Sequence, residues 1–304
     1  MKMAAIAPRP ATVTGSATGA AGSTPTFRQR WKGAGNLIPA LLFLGLFFLA
    51  PLIGLLLRGV LEPVPGLGNY EQLFANSAYA RVLLNTFSVA GLVTIFSLLL
   101  GFPLAWAITL VPRGWGRWIL NIVLLSMWTS LLARTYSWLV LLQASGVINK
   151  ALMALGIIDQ PLEMVHNLTG VVIGMNYIMI PFIVLPLQAT MQAIDPMILQ
   201  AGSICGASPW TNFFRVFLPL CRPGLASGGL MVFVMSLGYY VTPALLGGAQ
   251  NMMLPEFIIQ QVQSFLNWGL ASAGAALLIA ITLVLFYFYL KLQPESPVGA
   301  SNAR

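Results

Sequence analysis

Side chains capable of catalytic chemistry are sparse in this sequence of 304 residues, which contains seven acids, one histidine and two cysteines. His166 has no second histidine, so a zinc site or a serine-type triad is hard to build around it. Cys205 and Cys221 are too far apart for a CxxC redox pair. No segment matches the GxxxxGK[ST] phosphate-binding pattern. The residues therefore argue against an enzyme and against nucleotide hydrolysis by this chain.

Polar and aromatic side chains inside long apolar runs are the remaining candidates for ligand contact. They are Asn176, Tyr177, Tyr239, Tyr240 and Thr242. A polar group at membrane depth is costly unless it lines a cavity or finds a hydrogen bond, and an aromatic ring can attract an ammonium group. We interpret these five residues as candidates for ligand contact within the membrane, with packing of the rings against neighbouring helices as the competing interpretation. For Arg134, a structural or gating role is favoured over direct contact with such a ligand.

The elements that carry these residues are predicted from composition. The chain is 58% hydrophobic and 7% charged, which is typical of a protein dissolved in lipid. A bilayer core requires roughly 20 apolar residues per helix. Six apolar runs of that length predict an all-α integral membrane protein with six transmembrane helices. Their approximate bounds are 37–61, 82–111, 118–143, 168–191, 224–246 and 271–290.

The distribution of charge predicts orientation rather than a nucleic-acid partner. The net charge is +8, but the bases are scattered along an apolar chain. Most of them fall in segments that share one side of the membrane if the N-terminus is cytoplasmic. We therefore predict a disordered cytoplasmic tail at 1–36, a transmembrane domain at 37–291 and a cytoplasmic C-terminal tail at 292–304.

The segment 192–223 is the longest predicted cytoplasmic loop. Asp195 and Pro196 are a typical N-cap and first helical residue, and Ser208 and Pro209 repeat that signal beyond Gly206. We predict two short helices joined by a glycine turn, the second running over 210–217 and ended by Pro219. Four apolar side chains are predicted to dock into a partner's groove: Leu199, Phe213, Phe214 and Phe217. An amphipathic hairpin resting on the membrane surface is the alternative.

This loop resembles the EAA loop of ABC importer permeases, whose pattern is E-A-A, three residues, G, nine residues, I-x-L-P. The matching residues here are Gln200, Ala201, Gly202, Gly206, Val216, Leu218 and Pro219. The sequence departs from the pattern at Gln200, where the family has Glu, and at Gly202, where it has Ala. The resemblance implies that the loop, with Phe213 in it, couples the protein to an ATPase. The loss of Glu leaves open whether a salt bridge forms there.

Further segments resemble the spermidine/putrescine branch of these permeases, and the likeness extends over about 37–290. They are Arg134–Trp138, Pro181–Leu187 and Tyr239–Gly248. The resemblance implies a second permease, usually a distinct chain, an extracytoplasmic substrate-binding protein and two cytoplasmic ABC ATPase subunits. It also implies that ATP and Mg²⁺ bind to those ATPases, with no cofactor on this chain. Under this resemblance the five polar and aromatic residues become candidates for a substrate path that suits a polyamine: Asn176, Tyr177, Tyr239, Tyr240 and Thr242. The bacterial inner membrane is the expected location, with membrane lipid as the surrounding partner.

A stand-alone secondary transporter is the competing function. Such a protein usually needs buried ionisable residues for ion coupling, and the predicted spans contain almost none. The sequence also contains two small-residue pairs, Gly170-x3-Gly174 and Gly224-x3-Gly228. We interpret them as sites of close helix packing within the chain rather than as a dimerisation code.

Overall fold

The structure is a computed structural model that describes residues 38–292. Every regular element within that range is helical. In chain order the helices are α1 Ile38–Leu61, α2 Gly68–Ala75, α3 Ser77–Leu110, α4 Arg113–Leu125, α5 Leu131–Leu142, α6 Val147–Ala154, α7 Leu168–Gln192, α8 Pro196–Ile204, α9 Pro209–Leu220, α10 Arg222–Leu237, α11 Val241–Leu246, α12 Leu254–Gln263 and α13 Trp268–Leu292. The predicted tails lie outside the described residues and stay predictions.

The chain divides into two units, the first ending at Ile53 and the second beginning at Gly54. The described part of the first unit is the N-terminal portion of α1, an apolar helix that contains one wide π turn at Gly45–Leu49. The second unit contains the end of α1 and all the other described helices.

Five segments of the described chain are long and apolar enough to cross a membrane: Ile38–Leu61, Ser77–Leu110, Leu131–Ala154, Leu168–Gln192 and Trp268–Lys291. A sixth crossing results if α9 and α10, which meet at a bend of 58°, form one span. The predicted class, an all-α membrane protein, is thereby confirmed. The five or six spans agree with the six that the sequence predicts.

The core of the second unit is formed by α3, α7 and α10, which pack against one another. Fully buried side chains at their contacts include Val93, Met179 and Val232. Small residues permit this close approach: a β-carbon at Gly228 would meet the Pro186 ring at 3.1 Å, and one at Gly224 would meet the Thr190 hydroxyl at 2.5 Å. The interpretation of these glycines as packing sites within the chain is confirmed.

Two predicted spans are broken in the structure. The run predicted as one helix over 118–143 is divided between α4 and α5 by a short 3₁₀ turn at Ser126–Trp128 and extended backbone after it. The run predicted over 224–246 ends as a helix at Leu237, and α11 begins at Val241. Pro243 has no N–H to donate to the carbonyl four residues earlier, so a continuous helix through this segment is disfavoured and the second break is favoured. Hydropathy could not reveal either break, because both halves are apolar.

Helix α3 has 34 residues and is about 51 Å long, so it exceeds the roughly 30 Å hydrocarbon core. It begins five residues before the predicted span because the Asn76 side chain accepts a hydrogen bond from the Ala78 N–H. Helices α3 and α7 run in parallel, since Ser97 contacts Asn176 and Gly101 contacts Ile183. The α3 N-terminus and the hairpin that follows α7 therefore lie at opposite ends of the bundle.

Candidate functional site

Helices α8 and α9 form a hairpin at the C-terminal end of α3 and α7, and its first helix begins where the sequence predicts. The Asp195 carboxylate accepts a hydrogen bond from the Met197 N–H at 2.9 Å, and Pro196 occupies the first helical position. The Ser208 hydroxyl accepts from the Thr211 N–H at 3.2 Å. Both N-caps are confirmed.

The turn between the two helices depends on Gly206, whose φ is +81°. The Gly206 N–H donates to the Ser203 carbonyl at 3.0 Å, and the Ala207 N–H donates to the Gly202 carbonyl at 3.1 Å. This pair of bonds is a Schellman motif, which requires a left-handed residue that glycine adopts at the lowest cost. The spacing between the two helices is therefore set by the backbone of a single residue.

The second helix does not end at Phe217 as predicted. It continues to Leu220 through a π turn over Phe213–Phe217, in which the Leu218 N–H donates to the Phe213 carbonyl. Pro219 has no N–H, and its ring would crowd the carbonyl four residues earlier in a regular α-helix. The wider π turn relieves that crowding, so proline alters the pitch here instead of stopping the helix.

Gly202, where the family pattern has alanine, lies against a side chain of α9. The Asn212 side chain of α9 crosses to α8, where its amide nitrogen donates to the Leu199 carbonyl at 2.7 Å. A β-carbon on Gly202 would lie 2.7 Å from the Asn212 side-chain oxygen. The alanine of the family pattern would therefore require the Asn212 side chain to shift and disturb its hydrogen bond to the Leu199 carbonyl.

Substitution Gly202→Ala is expected to destabilise the hairpin by about 1–3 kcal/mol through this overlap. On an unhindered helix the same change would stabilise the helix by roughly 1 kcal/mol. A loss of stability would therefore indicate the contact between position 202 and Asn212. The measurement is hydrogen exchange of the α8 amides in detergent. The shorter side chain in the double variant Gly202→Ala with Asn212→Ser should recover protection, and Gly114→Ala, at a glycine with open space, should have no effect on α8.

One face of the hairpin packs on its own chain, contrary to part of the prediction. Phe217 is buried, and Phe213 lies with its ring centroid 4.9 Å from Trp106 and 6.1 Å from Phe102, both on α3. Leu199 packs against the same core. These three side chains connect the hairpin to the bundle and are not free to enter a partner's groove.

The opposite face of the hairpin is apolar and exposed. Trp210 is 73% exposed and stacks on Phe214 at a centroid distance of 5.8 Å. Met197 and Ile204, which sequence reasoning did not select, are also exposed. The sequence contained one indication of this face, because Trp210 and Phe214 are four residues apart and so lie on the same side of a helix. Gln200, Ala201 and Gly206 are exposed, while Gly202, Val216, Leu218 and Pro219 are partly buried.

A second candidate site lies beside an open cavity of about 550 Å³ that is lined by residues of α3, α5 and α7. Asn176 and Tyr177 line it together with Trp138, whose ring packs edge-on against that of Tyr177 at a centroid distance of 5.7 Å. Asn176 is 5% exposed, and its side-chain oxygen accepts a hydrogen bond from the Ser97 hydroxyl at 2.8 Å. The predicted residues Tyr239, Tyr240 and Thr242 do not line this cavity. Thr242 is buried with its hydroxyl 3.3 Å from that of Thr135, and the two tyrosines occupy the break between α10 and α11.

Arg134 lies at the other break, between α4 and α5. Its guanidinium donates to the backbone carbonyls of Ser126 and Thr129 and to the Thr129 hydroxyl. It also stands 5.7 Å from the centre of the Tyr177 ring. These donors pair with carbonyls that the interrupted helix leaves open, which supports the structural role predicted for Arg134.

Together these features define a polytopic helical membrane protein with an exposed apolar hairpin at one end and a mostly apolar cavity between α3, α5 and α7. The chain belongs to the family of binding-protein-dependent transport system inner membrane components, whose family model matches residues 73–295. It is the permease subunit of an ABC importer.

Relatives and solved structures agree with this family. The chain is 34% identical over 222 residues to the spermidine/putrescine transport system permease protein PotB of Haemophilus influenzae, covering 73% of this chain and 77% of that one. It is 31% identical to the inner membrane ABC transporter permease protein YdcU of Escherichia coli, covering 83% and 86%. The fold matches a bacterial ABC transporter that imports alginate, with a TM-score of 0.70 at 20% identity over 87% of this chain and 96% of that chain.

Proposed function

We propose that this permease translocates a polyamine such as spermidine or putrescine across the bacterial inner membrane. The observation that carries the choice of substrate is the 34% identity, over 73% of the chain, to a spermidine/putrescine permease. The cavity agrees with it, because the Trp138 ring in its lining offers a cation–π contact to an ammonium group. The Tyr177 ring already has the Arg134 guanidinium 5.7 Å from its centre, although no charged side chain stands in the cavity lining itself.

The proposal assigns the hairpin to the cytoplasm, together with both termini. The exposed face with Trp210 and Phe214 would then enter a cleft on a cytoplasmic ATPase subunit. Two such ATPases would bind ATP and Mg²⁺, and this chain would be non-catalytic. A second permease, a distinct homologous chain, would contribute the other hairpin, and an extracytoplasmic binding protein would deliver the substrate.

Coupling would follow from the way the hairpin is attached. Phe213 and Phe217 pack on Trp106 and Phe102, so a displacement of the hairpin would also displace the C-terminal end of α3. Helix α3 is in turn packed along α7 and α10. A rigid-body displacement of these helices would alter the cavity between α3, α5 and α7. Tyr239, Tyr240 and Thr242 remain proposed path residues because a broken helix leaves backbone groups near the bundle interior.

The test is purification of the tagged chain in mild detergent from its native membrane, followed by reconstitution of the recovered complex into liposomes. We expect an ATPase and a second permease to copurify, and ATP-dependent uptake of spermidine when the binding protein is present. Uptake should be inhibited by unlabelled putrescine and not by a neutral sugar. Recovery of this chain by itself, active in uptake without ATP, would contradict the proposal and favour a secondary transporter.

The buried Ser97–Asn176 pair is expected to stabilise the bundle. Substitution Ser97→Ala removes the donor to a buried carbonyl oxygen and should lower stability by about 0.6–1.7 kcal/mol, the range for hydrogen bonds between membrane helices. Thermal unfolding in detergent measures the change. Ser137→Ala is the matched control, because Ser137 is exposed and bonds only a carbonyl of its own helix. Equal melting temperatures for the two variants would show that the pair contributes nothing.

A further inference from the structure

A second cavity, of about 440 Å³, lies at the N-terminal end of α3. Arg81 and Asn85 line it, whereas Phe102 and Trp106 of the same helix contact the hairpin. Arg81 and Phe102 are separated by about 30 Å along the helix axis. The cavity is therefore at the end of the bundle opposite the hairpin, which is the extracytoplasmic end under the proposed orientation.

The walls of this cavity are held by contacts between distant parts of the chain. The Asn85 side chain donates to the Gln250 carbonyl at 2.7 Å, and the Thr86 hydroxyl accepts from the Leu254 N–H at 2.8 Å. The Tyr79 ring lies 5.0 Å from that of Phe257 on α12. These contacts fix α3, α12 and the preceding loop around one polar space.

Two donors that face this space make no hydrogen bond or ion pair to another described residue. Arg81 is exposed, and among the described residues no acid lies within ion-pair distance of it. The described side-chain atoms that are buried without a partner belong to Asn212, Ser236 and Ser272, so the amide of Gln261 is open to the cavity that this residue lines. A guanidinium and an amide that are open to one polar space can both donate to a ligand there.

The chemistry of the lining selects a carboxylate. Arg81 is the only charged residue in the lining, and the amides of Gln250, Gln260 and Gln261 add donors that a carboxylate can accept. A polyamine would be repelled by the guanidinium. The rim is apolar, since Phe265 and Leu266 are 63% and 71% exposed, and Leu266 has a φ of +52°. A charged pocket beside exposed apolar side chains on a strained turn suits a protein surface better than a free ion.

We propose that this cavity binds an aspartate or glutamate side chain of the extracytoplasmic binding protein, with Arg81 and Gln261 as the donors. The inference rests on the proposed function, because it specifies how the binding protein in that proposal is held. It adds a contact of defined chemistry on the outer face of this chain.

The experiment uses the complete transporter in nanodiscs and titrates it with purified binding protein saturated with spermidine. ATPase stimulation gives the half-saturating concentration of binding protein. Loss of a hydrogen bond to a charged group corresponds to roughly a ten- to hundredfold change, so Arg81→Gln and Gln261→Leu should each raise that concentration by this factor. Lys150→Gln is the matched control, an exposed base on α6 at the same end of the bundle, and should leave it unchanged.

Two results would overturn the inference. One is a half-saturating concentration for Arg81→Gln equal to that of the Lys150→Gln control. The other concerns sodium acetate at millimolar concentration. If acetate inhibits the wild-type transporter but not Arg81→Gln, and both give the same half-saturating concentration of binding protein, the cavity is a site for a small free carboxylate. Absence of any stimulation in the wild-type transporter would instead contradict the proposed function. Melting temperatures of the variants separate loss of binding from loss of fold.

Discussion

Substitution Gly206→Arg is expected to abolish ATP-driven uptake while the membrane bundle stays folded. Gly206 has a φ of +81°, which a residue with a β-carbon adopts at a cost of roughly 1–2 kcal/mol. No atom lies within 4 Å of the position of its β-carbon, so an arginine side chain would project outward from the hairpin. Bulk and charge would then occupy the surface proposed to enter the ATPase cleft. Copurification of the ATPase and uptake in liposomes measure the effect.

A series at Gly206 separates backbone strain from obstruction. Asparagine tolerates the left-handed region, so Gly206→Asn should retain most coupling, and Gly206→Ala should have an intermediate effect. Gly114→Arg is the matched control, because Gly114 is an exposed glycine on α4 at the same end of the bundle. Normal uptake in Gly206→Arg, or equal loss in Gly114→Arg, would contradict a coupling role for the hairpin.

Substitution Arg134→Met is expected to destabilise the protein by about 2–3 kcal/mol. The guanidinium bonds the carbonyls of Ser126 and Thr129 at the break between α4 and α5, and methionine offers no donor to either. The total stability of a domain is of the order of 5–15 kcal/mol, so such a loss should reduce the amount of folded protein in the membrane. Thermal unfolding in detergent and yield from membranes report the change.

Two further variants test whether Arg134 acts on structure or on substrate. Arg117→Met is the matched control, since Arg117 is exposed and makes no bond to another described residue. Arg134→Lys should be intermediate in stability because an ammonium group cannot reproduce the geometry of the guanidinium. Its KM for spermidine should equal that of the wild type. A stable Arg134→Lys protein with an altered KM would show that the arginine contacts the substrate instead.

The parts of the hairpin that the sequence predicts correctly are those specified by neighbouring residues. Asp195, Ser208 and Gly206 act on backbone groups within three or four positions, so their residue types and spacing carry the information. The prediction of where the second helix ends was wrong, because proline was interpreted as a helix terminator, whereas a π turn accommodates Pro219. Phe214 is exposed as predicted. Phe213 and Phe217 point inward instead, because their direction depends on Trp106, about a hundred residues earlier in the chain.

The sequence by itself determined the solvent, the all-helical class and the capped hairpin, because hydropathy and capping act over one helix or one turn. The tertiary structure decided where spans break, which face of the hairpin is free, and which side chain Gly202 contacts. Each of these depends on side chains that meet from distant segments, such as Asn212 against Gly202 and Asn85 against the Gln250 carbonyl. Packing brings those groups into contact, and no local pattern in the sequence predicts such contacts.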